Sequence, residues 1–165
     1  MDKEQLAIAR LRDAARLSEH RYKKPLMVTY SGGKDSQLLV ALAERAGIDF
    51  EVVNSHTTAD APETVYFIRE QFKAMEEHGI KCSIVMPRYK DEPVSMWTLI
   101  PKKLMPPTRL VRYCCAVLKE NTGRDRFIAT GVRWAESTNR KKNRGTMEFN
   151  HRDKEKRIIL MGDND

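Results

Sequence analysis

Pro25-Leu-Met-Val-Thr-Tyr30 runs straight into Ser31-Gly-Gly-Lys-Asp-Ser36, then into Gln37-Leu-Leu-Val-Ala-Leu-Ala-Glu-Arg-Ala46, with Gly47 behind it. The first piece is short, apolar and rich in strand formers, with its proline at the start, the pattern of a buried strand. The last is apolar and Ala/Leu-rich, and Gly47 stands where a helix C′ glycine would. Two adjacent glycines turn the chain between them. A strand, a glycine turn and a helix make the first half of a βαβ unit, and that unit decides the fold class.

The same alternation continues outward. Phe50 to Val53 reads as a strand, Asn54 to Ala59 as a polar loop, and Ala61 to His78 as a helix ending at Gly79. Cys82 to Met86 reads as a third strand stopped by Pro87. Residues 87–111 are irregular apart from a helix-like piece at Val94 to Leu99, and Val111 to Lys119 looks helical. Phe127 to Val132 reads as a fourth strand and Arg157 to Met161 as a last one. Upstream, Leu6, Ala7, Leu11, Ala14, Ala15 and Leu17 recur at helical spacing, placing an amphipathic helix at 2–20. Strands alternating with helices of this length predict one α/β domain over 1–165: a Rossmann-like parallel sheet with helices on both faces. In such sheets ligands bind at the carboxyl ends of the strands. The loops 31–36, 54–60 and 131–140 therefore share one edge.

Composition agrees. The chain has 165 residues, 41% hydrophobic and 32% charged, which excludes collagen-like and low-complexity classes and argues against wholesale disorder. No apolar run approaches the ~18 residues of a membrane span, and the charged N-terminus carries no signal-peptide core. Three cysteines, two of them adjacent, make no disulfide framework, so a cytoplasmic protein is expected. The net charge of +7 is uneven: residues 25–100 carry −4, whereas 101–126 and 139–157 carry +5 each. A basic second half suits an anionic ligand, and the segment 139–157, read as basic and mobile, is a candidate contact for nucleic acid. A solvated basic surface explains the same run.

The chemistry of the glycine turn is specific. Ser31-Gly32-Gly33-Lys34-Asp35-Ser36 can present backbone N–H groups to an anion, helped by the positive end of the following helix and by Ser31, Lys34 and Ser36 as donors. It is neither a Walker A loop, because Asp35 stands where Ser/Thr is required, nor a dinucleotide fingerprint. An ordinary capped strand-to-helix turn is the plainer alternative. His56-Thr57-Thr58-Ala59-Asp60-Ala61-Pro62-Glu63-Thr64 makes a good helix start, with Asp60 as N-cap and Pro62 in the first turn. Gly131-Val-Arg133-Trp-Ala-Glu136-Ser137-Thr-Asn-Arg140 brings two arginines to a strand end, where they can grip a phosphate or sulfate; a local Arg133–Glu136 pair on a surface loop is the bland reading. In Arg112-Tyr-Cys114-Cys115-Ala-Val-Leu-Lys119 the neighbouring thiols are too close for an unstrained disulfide. They are either helix residues with one thiol buried or metal ligands. Cys82, on a strand, is expected in the core.

These four stretches, in this order, resemble the PAPS/APS reductase (phosphoadenosine phosphosulfate reductase) family of the adenine-nucleotide PP-loop, or N-type ATP pyrophosphatase, superfamily. The loop resembles its SGG-x-DS pyrophosphate loop, His56–Thr64 its "DTG…PET" segment with Thr57-Thr58-Ala59 where the family has Thr-Gly, 131–140 its G-x-R-x-x-[ED]-S-x-x-R motif, and 112–119 its R-x-C-C-x-x-x-K run. The resemblance implies an adenine nucleotide ligand (adenylyl sulfate, PAPS or ATP) held by Ser31 to Ser36 and Thr57, with Arg133 and Arg140 closing from the opposite loop. It implies Cys114 and Cys115 as two of four thiolates of a [4Fe–4S] cluster, a thiol reductant such as thioredoxin, a homo-oligomer, and reduction of activated sulfate. The alternatives are an ATP pyrophosphatase that transfers sulfur to DNA or RNA, with Mg²⁺ beside Asp35, or a non-enzymatic nucleic-acid-binding module. The family's second cysteine pair and its C-terminal E-C-G-x-H nucleophile have no counterpart, so the chain is expected to be the N-terminal portion of a longer protein.

Overall fold

The computed structural model describes residues 2–119, 122–123, 125–133, 147–149 and 158–162, and from residue 132 onward it does so through the backbone. Helix α1 (Lys3–Tyr22) leads into β1 (Leu26–Thr29), α2 (Lys34–Ala46), β2 (Phe50–Ser55), α3 (Pro62–Glu77) and β3 (Lys81–Val85). A hairpin of β4 (Arg88–Tyr89) and β5 (Glu92–Pro93), then α4 (Met96–Lys103) and α5 (Tyr113–Leu118), precede β6 (Phe127–Arg133), β7 (Met147–Phe149) and β8 (Ile158–Gly162).

The main sheet has the order β3-β2-β1-β6-β8-β7. Its pairs are parallel except β7 with β8, an antiparallel edge. The expected α/β class with a parallel sheet is what the chain adopts. Strand β1 is flanked by β2 on one side and β6 on the other, so the strand order reverses there, and the crevice above the carboxyl ends of β1 and β6 is the switch point where such sheets take ligands.

Alternation along the strands explains the two faces. Leu26, Val28 and Tyr30 of the β1 stretch, Val52 of β2, and Phe127 and Ala129 of β6 point to one side. There they meet Leu11 and Ala14 of α1, Val40, Ala43 and Ala46 of α2, and Ile68 and Phe72 of α3. Met27, Val53 and Ile128 point the other way into a smaller cluster. The connection from α5 into β6 lies over this second face: the Ser55 and Thr122 hydroxyls are 2.7 Å apart, and a side chain on Gly123 would meet Ile128 and Met27. Helices α4 and α5 share a separate core of Val94, Leu99 and Leu118.

Several elements depart from the sequence reading. Helix α2 begins at Lys34, three residues before Gln37, so half of the Ser31–Ser36 stretch is helix and the turn itself is Ser31 to Gly33. Helix α4 spans Met96–Lys103 and not Val94 to Leu99, because Ser95 caps it. Its hydroxyl accepts from Thr98 N–H at 3.2 Å, Ser95 N–H donates back to Thr98 Oγ1 at 2.8 Å, and Val94 before the cap packs with Leu99 in the second turn. The β4–β5 hairpin falls within the stretch read as irregular. Its central residues Lys90 and Asp91 take φ of 51° and 64°, a mirror-image turn that this sequence makes without the usual glycine signal. Within 139–157, residues Met147–Phe149 form β7, and the rest of that segment lies outside the described residues.

Candidate active site

The phosphate loop starts where β1 ends. Tyr30 N–H donates to Val53 O at 2.9 Å, and the buried Asn54 side chain donates to Tyr30 O at 2.8 Å, so the carboxyl ends of β1 and β2 are tied side by side. The chain then turns through Gly32 at φ 78°, a left-handed backbone that favours glycine. A β-carbon here would also sit 3.2 Å from Ile68 Cγ1. Gly33 is the N-cap of α2 with ordinary extended dihedrals, and a β-carbon on it would make only an ordinary contact with Ser31 Oγ at 3.6 Å. Of the two glycines, Gly32 is therefore the one the turn requires.

Ser36 holds this turn from inside. It is buried, donates to Gly33 O at 2.8 Å, and accepts from Ser31 N–H at 3.2 Å. The sequence reading offered it as a ligand donor; its contacts make it an internal brace. Ser31, Gly33 and Lys34 are exposed, Asp35 is half-buried in the first helical turn, and no side chain caps α2. The positive end of the helix thus faces outward beside a serine and a lysine.

The loop after β2 is built around Asp60. One carboxylate oxygen accepts from Thr57 Oγ1 at 2.6 Å and from Thr57 N–H at 3.3 Å, and His56 Nδ1 lies 4.0 Å from it. The expectation of Asp60 as the α3 cap is corrected: Ala61 is the N-cap, no side chain caps it, and Pro62 opens the helix. Asp60 fails to cap because its carboxylate folds back to Thr57. Thr57 is buried, so its hydroxyl serves the loop. Thr58 takes φ 61°, a rare conformation for a β-branched residue, and its hydroxyl accepts from Met96 N–H at 2.8 Å, tying α4 to this edge.

On the other side of β1, Gly131 of β6 lies against the start of α2: a β-carbon there would be 2.9 Å from Asp35 O and 3.1 Å from the Asp35 carbonyl carbon. Arg133 ends β6 on the same edge, in register with Gly162 of β8. Arg140 lies outside the described residues. The structure thus brings together Ser31 to Ser36, the 56–60 loop and the end of β6. The sequence names Ser36 as a ligand donor and Asp60 as a cap but shows neither as a brace of its own loop, and Asn54 is not among the residues it marks. An asparagine at the end of an apolar strand was the available signal for Asn54.

A family model for the phosphoadenosine phosphosulfate reductase domain matches residues 25–159. The chain belongs to this family. Among solved structures, the phosphoadenylyl-sulfate (PAPS) reductase of Candida auris, determined as a phosphate complex, is similar in fold with a TM-score of 0.56 at 12% identity. That match covers 92% of this chain and 71% of the other. No curated protein sequence matches.

For a PAPS reductase family member the cysteines are the next question. Cys114 packs on the α4–α5 core, and Cys115, its helical neighbour, accepts from the Arg112 guanidinium at 3.4 Å. Cys82 is on β3, half-buried against the main core. Two adjacent thiols and one distant thiol do not supply a four-thiolate set, and among the described residues no three His, Cys, Asp or Glu side chains are grouped to hold a metal ion. These donors do not fit an iron–sulfur cluster. Burial, and secondarily the Glu76 carboxylate, push the Cys82 thiol up to about 11. Cys82 should therefore react with iodoacetamide only slowly at pH 8 and gain rate as pH approaches 11, because the thiolate is the nucleophile. Peptide mapping after timed alkylation checks this; complete labelling of Cys82 within minutes at pH 8 would contradict its burial.

Proposed function

We propose that this PAPS reductase family chain binds an adenine nucleotide with its phosphate or sulfate end in the Ser31–Ser36 loop. The reaction is then reduction of an activated sulfate, adenylyl sulfate or PAPS. The observation that carries the reading is the cradle at the switch point: a left-handed Gly32 leading into a helix start without a side-chain cap, closed from the β6 side by Gly131. Ser31 and Lys34 add donors, and Arg133, which ends β6, and Arg140 are the cationic partners this reading assigns to the anion. The family supports the nucleotide; the fold of the Candida auris enzyme supports the architecture.

The chemistry this site serves is thiol attack on the sulfate sulfur. The thiolate forms an S–S bond, the bond between sulfur and the bridging phosphate oxygen breaks, and the adenylate leaves with the electron pair. A thiol of a dithiol protein of the thioredoxin kind then attacks the sulfur of the first thiol and displaces sulfite, and its second thiol resolves the mixed disulfide, so the first thiol is restored and the dithiol supplies both electrons. The loop's part is to hold the adenylate phosphate and stabilise the charge that grows on it as it leaves.

Asp35 favours a second reading. A carboxylate in the first turn of the phosphate helix suits a Mg²⁺ neighbour, as an ATP pyrophosphatase that adenylates a sulfur acceptor would need. The two readings separate in one assay. Sulfite release from adenylyl sulfate or PAPS with a dithiol, and no pyrophosphate from MgATP, supports reduction. Pyrophosphate and AMP from MgATP without sulfite would replace it with adenylation.

A further inference from the structure

The segment between β3 and α5 carries a second concentration of cations, separate from the phosphate loop. From Met86 to Arg112 there are six basic and two acidic side chains, a net of +4, and four of the basic ones (Arg88, Lys90, Lys102 and Lys103) are on the β4–β5 hairpin and α4. On the β4–β5 hairpin the Tyr89 ring lies beside two ammonium groups: Lys103 Nζ is 4.4 Å and Lys90 Nζ 5.8 Å from its centre. Lys103 also donates to the Tyr89 hydroxyl at 3.1 Å, and this bond, with the charge behind it, lowers the phenol below its usual range. Tyr89, Lys90, Glu92 and Lys102 line a surface cleft of about 340 Å³.

The outer side of α4 adds an aromatic group. Trp97 is 74% exposed and Leu104 is 92% exposed, whereas Leu99 is fully buried. Trp97 and Pro101, at i and i+4, share the solvent side of the helix, and Leu104 is its left-handed C-cap. The bond from Met96 N–H to Thr58 Oγ1 fixes this module to the carboxyl edge, where the phosphate loop also lies.

We propose that the β4–β5 hairpin and α4 form a docking surface for single-stranded nucleic acid, with phosphates on Lys90, Lys102 and Lys103 and an unstacked base on Trp97. Charge complementarity selects a polyanion, and an open tryptophan on the same module as these lysines is the combination that holds a single strand; Lys102 exchanges its 2.6 Å ion pair with Glu92 for a phosphate on binding. An anionic membrane would require the cations to ring the exposed Trp97 and Leu104. Here Lys90 and Lys103 are instead gathered over the Tyr89 ring of the hairpin. The proposal is independent of which nucleotide the Ser31–Ser36 loop takes.

The test is fluorescence anisotropy of labelled 12-nucleotide single-stranded DNA and RNA between 50 and 200 mM NaCl. Trp97→Ala is expected to weaken binding by roughly 5- to 100-fold, the range for losing one stacked base. The triple variant Lys90→Glu/Lys102→Glu/Lys103→Glu should flatten the salt dependence by about 0.7 per lost phosphate contact. A control on and just after α1, Arg16→Glu/Lys23→Glu/Lys24→Glu, replaces exposed cations away from this module and should leave both nearly unchanged, and thermal melts of all three confirm folding. Wild-type affinity in both module variants, loss confined to the α1 control, or binding to phosphatidylserine vesicles but not to oligonucleotides would each overturn the proposal.

Discussion

Gly131→Ala is expected to weaken adenine nucleotide binding at least tenfold and to lower stability by about 1–3 kcal/mol, the usual range for one methyl group forced into a packed site. The added carbon would stand 2.9 Å from Asp35 O and 3.4 Å from Ser36 N. These neighbours are backbone and have no rotamer to yield. Strand β6 has no room to retreat, since it is paired with β1 at Met27–Ile128 and Val28–Ala129 and with β8 on its other side. The start of α2 must move instead, carrying with it the N–H groups proposed to hold the anion. Calorimetric affinity and a thermal melt measure the two effects; wild-type affinity in the alanine variant would show that the contact does not set the cradle.

Glu51→Ala is expected to cost about 3–5 kcal/mol, because it strands a buried charge. Glu51 Oε1 lies 2.6 Å from Arg126 Nη1, and both side chains are almost fully covered, at 9% and 13% exposure. Arg126 also donates to Pro25 O at 2.9 Å. This pair clamps β1, β2 and β6 at their amino ends, the edge away from the site. Lys81 completes the group at 3.3 Å from Glu51 Oε2 but is 77% exposed, so Lys81→Ala should cost under about 1 kcal/mol. Urea unfolding of both variants checks the contrast. Equal losses would mean that the Arg126 pair is no more buried in solution than the Lys81 pair.

The fold was legible because its signals are local and repeated: apolar runs of strand length, each followed by a glycine or polar turn and a helical period. The glycine turn was legible for the same reason. What the sequence hid depends on contacts between distant residues. Gly131 reads as one position of a motif, and only the approach of β6 to Asp35 shows what its missing side chain does. Asp60 followed by Pro62 is a sound cap signal, but the Thr57 hydroxyl competes for the same carboxylate and wins at 2.6 Å. Lys90-Asp91 carries no mark of a mirror-image turn, so the hairpin bearing Tyr89 went unread.

The central claim is that the turn at Gly32 forms an anion cradle for an adenine nucleotide. Anaerobic calorimetry of adenylyl sulfate, PAPS and MgATP against the wild-type chain and Gly32→Ala, at one fixed salt concentration, tests it most directly. Alanine at φ 78° is strained by roughly 1–2 kcal/mol and also crowds Ile68, so the account predicts one nucleotide per chain in the wild type and at least a tenfold loss in a folded variant. Equal affinity in the two proteins, or no binding of any of the three nucleotides to the wild type, would contradict it.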